Sequence, residues 1–331
     1  MSKKLIIIFG ILLVAIFVAP IRAQQYSDLD MGMSTEERDE LLRKYNNIFP
    51  IFGRKVLERG IRLPASFGIN LNYFAASQKI LISNIAIGVN DSELVDLSSV
   101  IIFEDVLSEV ENVNARIDLW VLPFLNVYGI FGQSWATTTV NISAPFTFQS
   151  IAKLKGSSNG VGFTVAGGLQ GFWFALDTNW TWSNLDLLED AVRTRTFGLR
   201  VGKKLRWRDK SVSLWVGAMK MNLESGTEGT VTLSEVMPEI PPELGERYQE
   251  WYDGLTLKQK VIADGIKDAI DNADLGSTQV HYVLDKRPLT PWTMNIGAQL
   301  EFSRNWQFRA EVNFLGSRTS ILANLVYRFD F

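Results

Sequence analysis

The chain has 331 residues, 47% of them hydrophobic and 21% charged, with one His, no Cys and a formal net charge of −3. Without cysteine there is no thiolate metal site, disulfide framework, iron–sulfur cluster or Cys nucleophile, and a single histidine leaves little for His-rich metal chemistry. The apolar content excludes intrinsic disorder. Taken as an average, the mean hydropathy of +0.06 is that of a soluble enzyme.

Lys3 and Lys4 precede an unbroken apolar run from Leu5 to Ala19, followed by Pro20, Ile21, Arg22, Ala23 and Gln24. A basic start, an apolar stretch of about fifteen residues and a small residue at the cut describe a secretory signal peptide over residues 1–23, with cleavage expected after Ala23. The run is short for a bilayer span of about 20 residues. Its removal takes away Lys3, Lys4 and Arg22 and no acid, so the remaining chain is more acidic. That charge, with no basic stripe, gives no support for nucleic-acid binding.

Residues 24–65 are expected to form an N-terminal segment with one helix over 34–48. Ser34 and Glu37 make a capping box there, followed by Leu41, Leu42, Tyr45 and Ile48. Beyond it, apolar and polar residues alternate in segment after segment. Phe67 to Tyr73, Ala115 to Val121, Val161 to Leu169, Phe172 to Trp182 and Phe197 to Val201 carry the pattern, with weaker versions at 79–89, 97–107, 124–142 and 211–224. An insert at 225–290 interrupts it. The core of the insert, Pro241 to Leu275, reads as two short helices with Leu257, Val261, Ile262, Ile266 and Ile270 as an apolar stripe. The alternation then returns in its purest form at Trp292 to Phe302, Trp306 to Phe314 and Ile321 to Phe331. Successive strand side chains point to opposite faces, so each segment is a strand with one apolar and one polar face. The count is about twelve strands, each near the ten residues or so that a tilted membrane strand needs.

A soluble sandwich has the same period. Three features favour lipid on the apolar face. Aromatics gather near strand ends (Trp292 and Phe302, Trp306 and Phe314, Trp180 and Trp182), as girdles at two interfaces would. The opposite face mixes charges of both signs with Asn, Gln, Thr and Gly. The given sequence stops on an aromatic inside a strand. This ending, Tyr327-Arg328-Phe329-Asp330-Phe331, resembles the C-terminal β-signal of bacterial outer-membrane β-barrel proteins, with Tyr327, Phe329 and Phe331 as its alternating aromatics. The resemblance implies assembly by the barrel machinery, outer-membrane lipid as surroundings, and a periplasmic C-terminus. Counting back, turn 303–305 and the connection around Pro123 fall on the periplasmic side, and turn 315–319 and the insert fall outside.

The resulting expectation is an all-β transmembrane antiparallel up-and-down barrel of about 12 strands over residues 66–331. It carries a helix-bearing periplasmic segment at 24–65 and a helical extracellular insert at 225–290. Its lumen candidates are Arg116, Asp118, Trp120, Trp173, Asp177, Arg200, Glu301, Arg309, Glu311 and Arg328. They either line a solute path or pair with one another to fill a narrow interior, and twelve strands lie between filled and open barrels. Trp120, Tyr128 and Trp173 read as plug contacts or as stacking platforms for a sugar or aromatic solute.

His281, in the tail of the insert near Asp271, Asp274 and Asp285, is either a hydrolase base or a solvated loop histidine, and no motif places a Ser or Asp beside it. The acidic stretch from Glu224 to Glu250 lacks calcium-loop spacing and reads as solvated. No cofactor or metal is implied. The leading functional expectation is a channel or transporter for small solutes with plugging helical segments. The alternatives are a closed scaffold barrel that binds a protein partner through the insert, or an outer-membrane hydrolase.

Overall fold

The computed structural model describes residues 34–330, except 145–147, 170–171, 187, 189, 208–209, 224–226, 237–245, 273 and 275. The signal peptide expected at 1–23 and Phe331 lie outside the described residues. Ten strands form one closed antiparallel barrel. They are β1 (Phe67–Val89), β3 (Ile102–Leu122), β4 (Leu125–Ala144), β5 (Phe148–Leu169), β6 (Phe172–Leu185), β7 (Val192–Trp207), β8 (Lys210–Leu223), β11 (Trp292–Glu301), β12 (Trp306–Phe314) and β13 (Arg318–Phe329). Closure is made by β1 and β13, paired continuously from Phe67 with Phe329 to Gln78 with Arg318. A closed ladder leaves no free strand edge among the ten barrel strands where β1 meets β13.

The strand count differs from the expected twelve, and the reason is strand length. Segments 67–73 and 79–89 are two halves of β1, 23 residues long. Segments 97–107 and 115–121 likewise fall largely within β3, 21 residues long. A membrane span uses about 9–11 residues of a tilted strand. The alternation therefore breaks where the outer face turns polar, at Ser77 and Lys79 on β1 and at Glu109 and Glu111 on β3, although the ladder runs on through these positions. β4 and β5 are equally long, whereas β11, β12 and β13 have 10, 9 and 12 residues. One side of the barrel thus stands well above the apolar belt.

The insert builds the missing part of that wall. It is not purely helical, since it includes strands β9 (Thr227–Thr232) and β10 (Gln279–Pro288). β10 pairs with Ile80–Val89 of β1, taking over the same edge where β13 ends, and β9 pairs with β10. A two-residue strand β2 (Val95–Asp96) adds to the top of β1. Between β9 and β10 lie α3 (Leu233–Val236), α4 (Glu246–Asp253) and α5 (Leu257–Asp271). α5 starts at a reciprocal cap: Thr256 N–H donates to Gln259 Oε1 (2.9 Å), and Gln259 N–H donates to Thr256 Oγ1 (3.4 Å).

Its buried face is Ile262, Ala263 and half-buried Ile266, packed on Val89, Leu97, Leu233 and Val280. Leu257 and Val261 are 85% and 62% exposed, so the expected stripe is not one face. Val261 and Ile262 are adjacent in sequence and point about 100° apart, and only one of them can face the core. The side chain of Ile270 is outside the described residues.

At the opposite end, α1 (Thr35–Lys44) and α2 (Gly53–Glu58) cover the mouth. α1 is shorter than the expected 34–48. Ser34 caps it by accepting from Glu37 N–H (3.1 Å), while the Glu37 carboxylate pairs with Arg62 (3.0 Å) instead of closing the capping box. The segment is pinned to the rim by Ile51 N–H donating to Val121 O (2.9 Å), Ser66 N–H to Asp330 (2.8 Å) and Arg328 to Ala65 O (3.0 Å).

Candidate functional site: the barrel interior

Because side chains alternate along each strand, every second residue enters the lumen. All ten sequence-derived lumen candidates line it. Half of them are committed to one another.

Glu311 accepts from Arg200 Nε (2.7 Å) and Nη2 (3.2 Å), from Arg309 Nη2 (2.9 Å) and from Trp215 Nε1 (3.1 Å). A second cluster is built on Asp118, which accepts from Asn70 (2.6 Å), Asn126 (2.7 Å) and Arg328 (2.7 Å). The Arg116 guanidinium lies 3.5 Å from the centre of the Tyr128 ring, and Tyr128 donates to Asp177 (2.9 Å). Glu301 takes Lys204 and Ser211, both at 2.6 Å. Trp173 stands edge-on to Trp215 at 5.8 Å. Of the two readings open for these charges, mutual pairing describes Asp118, Arg200, Arg309, Glu311 and Arg328.

Glycines on neighbouring strands make room for the large side chains. A Cβ at Gly202 would meet the Trp173 ring at 2.5 Å, and one at Gly162 would meet the Tyr128 ring at 2.5 Å. A Cβ at Gly297 would enter the Trp215 ring. The aromatics therefore lie against bare backbone and narrow the lower lumen together with the ion pairs. The ring nitrogens of Trp120 and Trp173 are buried and have no partner among the described residues.

Above this layer the lining changes character. Inward residues of β1 become Ile80 and Ile82, and a register shift before Asn84 keeps the following Ile85, Ile87 and Val89 inward. Val106 and Val110 of β3, Val140 and Ile142 of β4, and Leu284 of β10 continue the apolar wall. One cavity of about 1720 Å³ spans both layers, with α5 at its upper end and the segment from Tyr45 to Ala65 at its lower end.

Residues that the sequence reading did not single out lie at the level where polar lining meets apolar lining. Arg318, Asn313, Asn295 and Gln78 are buried on adjacent strands, and Lys286 of β10 reaches the cavity above them. Asn295 and Asn313 already fell on the polar face of the alternation. Arg318 fell within the expected turn at 315–319, and Lys286 within the insert, so nothing in the pattern flagged either.

Titration outside the barrel belt is shaped locally. Burial pushes the Lys286 ammonium below its ordinary range. Burial, and then the neighbouring Asp330 charge, raise the Tyr45 hydroxyl. The Ser98 hydroxyl and amide hold Asp96 below the usual carboxylate range. His281 sits in β10 with its Nδ1 paired to Thr230 Oγ1 at 2.8 Å, and Asp285 is engaged by Asn84 (2.7 Å). Among the described residues there is no group of three His, Cys, Asp or Glu placed to hold a metal ion.

No protein-family model and no curated protein matches the chain. Solved structures do align with it. The beta domain of the Bordetella autotransporter BrkA shares 7% identity over 80% of this chain and 100% of that one, with a TM-score of 0.39. The translocator domain of autotransporter NalP from Neisseria meningitidis shares 10% identity over 90% and 99%, with a TM-score of 0.35. An outer-membrane channel from Pseudomonas putida F1 shares 9% identity over 80% and 96%, with a TM-score of 0.29. By its own strand pairing this chain is a closed antiparallel β-barrel, and the solved structures it is similar to are bacterial outer-membrane β-barrels.

Proposed function

We propose that the protein is an outer-membrane barrel that admits a small solute into its lumen and passes it on when its two end covers move. The observation that carries this reading is the single cavity of about 1720 Å³ running inside the closed wall from an apolar upper chamber to an ion-paired lower layer. The membrane setting is supported by the outer face. Ile69, Leu71, Val113, Ile117, Phe131, Val161, Phe174, Leu199, Val216, Met294, Phe308 and Leu325 form an exposed apolar belt around the barrel. Trp135, Trp182 and Trp292 stand toward its upper rim, and Phe172, Phe302, Trp306 and Tyr327 toward its lower rim. Soluble monomers rarely expose contiguous apolar patches beyond a few hundred Å².

The test is solute passage across reconstituted bilayers. It compares the full chain with versions lacking α4 and α5, lacking residues 34–58, or lacking both. Passage is expected to be smallest for the full chain and largest when both covers are removed. A double deletion that folds as a barrel and passes nothing would overturn the reading.

A second reading rests on α5. Leu257 and Val261 face solvent beside the packed side of the helix and offer an apolar handle to a protein partner. A stoichiometric partner recovered from membranes, and lost in a Leu257→Ser/Val261→Ser variant, would favour the scaffold role.

A further inference from the structure

Inside the barrel, at the junction of the two layers, lies a set of buried polar atoms without a partner among the described residues. Arg318 is 2% exposed; its Nη2 donates to Thr293 Oγ1 (3.0 Å), while Nε and Nη1 are without partners among the described residues. Asn313, 1% exposed, and Asn295, 0% exposed, have both amide atoms unpartnered, and so are Ser320 Oγ and Gln78 Nε2. The ladder brings these residues together. Asn295 pairs across to Asn313, Asn313 to Ser320, and Arg318 to Gln78, on the four consecutive strands β11, β12, β13 and β1.

Unpaired buried polar groups carry a desolvation penalty, and an isolated buried cation a larger one. Elsewhere in this lumen the arginines have partners: Arg200 and Arg309 share Glu311, and Arg328 holds Asp118. Arg318 departs from that pattern. Lys286 lies on the same side of β1, opposite Ile82, is buried, and makes no ion pair among the described residues. Four β1 residues, about 13 Å of strand, separate its level from that of Arg318. Between and above the two cations the wall is Ile80, Ile82 and Leu284.

We propose that the junction binds the anionic head of a single-chain amphiphile whose hydrocarbon tail lies in the apolar upper chamber. The Arg318 guanidinium and the Asn313 amide, which line the cavity, supply donors to the head-group oxygens, and Lys286 adds the second positive charge. The proposal rests on the reading of the lumen as a solute chamber and names the solute class. A small inorganic anion would satisfy the donors but leave the adjoining aliphatic wall unused. An uncharged hydrocarbon would leave the cations bare.

The test uses the full chain in amphipol, titrated with cis-parinarate, a fluorescent polyene carboxylate that brightens in apolar surroundings. Competitors are hexadecanoate, hexadecyl phosphate, hexadecanol and acetate. Saturable parinarate binding is expected, displaced by hexadecanoate or hexadecyl phosphate at least about tenfold better than by hexadecanol. Acetate is expected to have no effect. The tighter of the two anions tells a fatty carboxylate from a phosphate-headed lipid. Arg318→Met and Lys286→Met are each expected to weaken the anions and leave hexadecanol unchanged. The head-group comparison on the unaltered protein decides the matter if either variant misfolds.

Equal displacement by acid and alcohol, or no saturable binding, would overturn the proposal and make the junction a hydrated polar seam. Binding without bilayer passage would reject transport and keep this inference. Passage without binding would reject this inference alone.

Discussion

Arg200 on β7 and Glu311 on β12 meet at 2.7 Å inside the barrel although β8 and β11 stand between their strands in the sheet. The pair acts as a strut across the lumen, and Arg309 and Trp215 complete the carboxylate's shell. Replacing Glu311 with Gln leaves two buried guanidinium groups without their paired carboxylate. Breaking a buried pair on one side costs about 3–5 kcal/mol. Glu311→Gln is expected to lose that much in urea unfolding followed by tryptophan fluorescence. Arg200→Met/Glu311→Leu, which removes the strut but still leaves Arg309, is expected to lose less. Equal stability of wild type and Glu311→Gln would show that water replaces the strut at no cost.

Gly297 is where the Trp215 ring lies against the backbone of β11. Gly297→Val puts a branched side chain where the ring sits. Overpacking of this kind costs about 1–3 kcal/mol. The same change at Gly167, where an added Cβ meets nothing within 4 Å, serves as the control. Heat-modified mobility on gels is expected to shift to lower temperature for Gly297→Val and to stay near wild type for Gly167→Val.

Ile262 is the most buried side chain of α5 and joins the helix to Val89 and Leu97. Ile262→Asp sets a charge in that cluster, and α5 is expected to leave the chamber while the barrel stays folded. Limited proteolysis is expected to cleave within 246–271 in the variant and not in wild type. A resistant Ile262→Asp variant would show that the Gln259 and Trp251 bonds to Asp96 O and Val100 O are sufficient to hold the cover.

Tyr45 gives the lower cover a pH dependence. Its hydroxyl is raised above the ordinary 10.0 by burial first and Asp330 second, so the folded state disfavours the phenolate. The sign follows from linkage: stability of the docked segment is full below 10.0 and falls as pH rises past it, because the released segment ionises more readily. Tyr45→Phe is expected to abolish this alkaline loosening, read as protease sensitivity of residues 34–65 between pH 9 and 11 or so. Loosening that persists in Tyr45→Phe would assign it to another group.

The sequence disclosed the barrel because β11, β12 and β13 have about the length of a membrane span and alternate almost without exception. It miscounted the longer strands because the outer face of β1 changes from Ile69, Leu71 and Tyr73 to Ser77 and Lys79 where lipid contact would end, although hydrogen bonding continues. The charged lumen residues were legible from the same alternation. Which of them pair was not, since Arg200 and Glu311 are 111 residues apart. Arg318 was illegible for the opposite reason: its significance is a missing partner, and absence leaves no pattern in a sequence.

The takeover of β1's edge by β10 has a consequence for dissecting the insert. Helices α4 and α5 can be cut away without touching the ladder, but losing β10 would lay bare the backbone of Ile80–Val89 above the apolar belt. Such an uncovered row of amide and carbonyl groups is a template for strand addition by another molecule. Variants that lack β10 are therefore expected to self-associate, and they would report on stickiness instead of on opening.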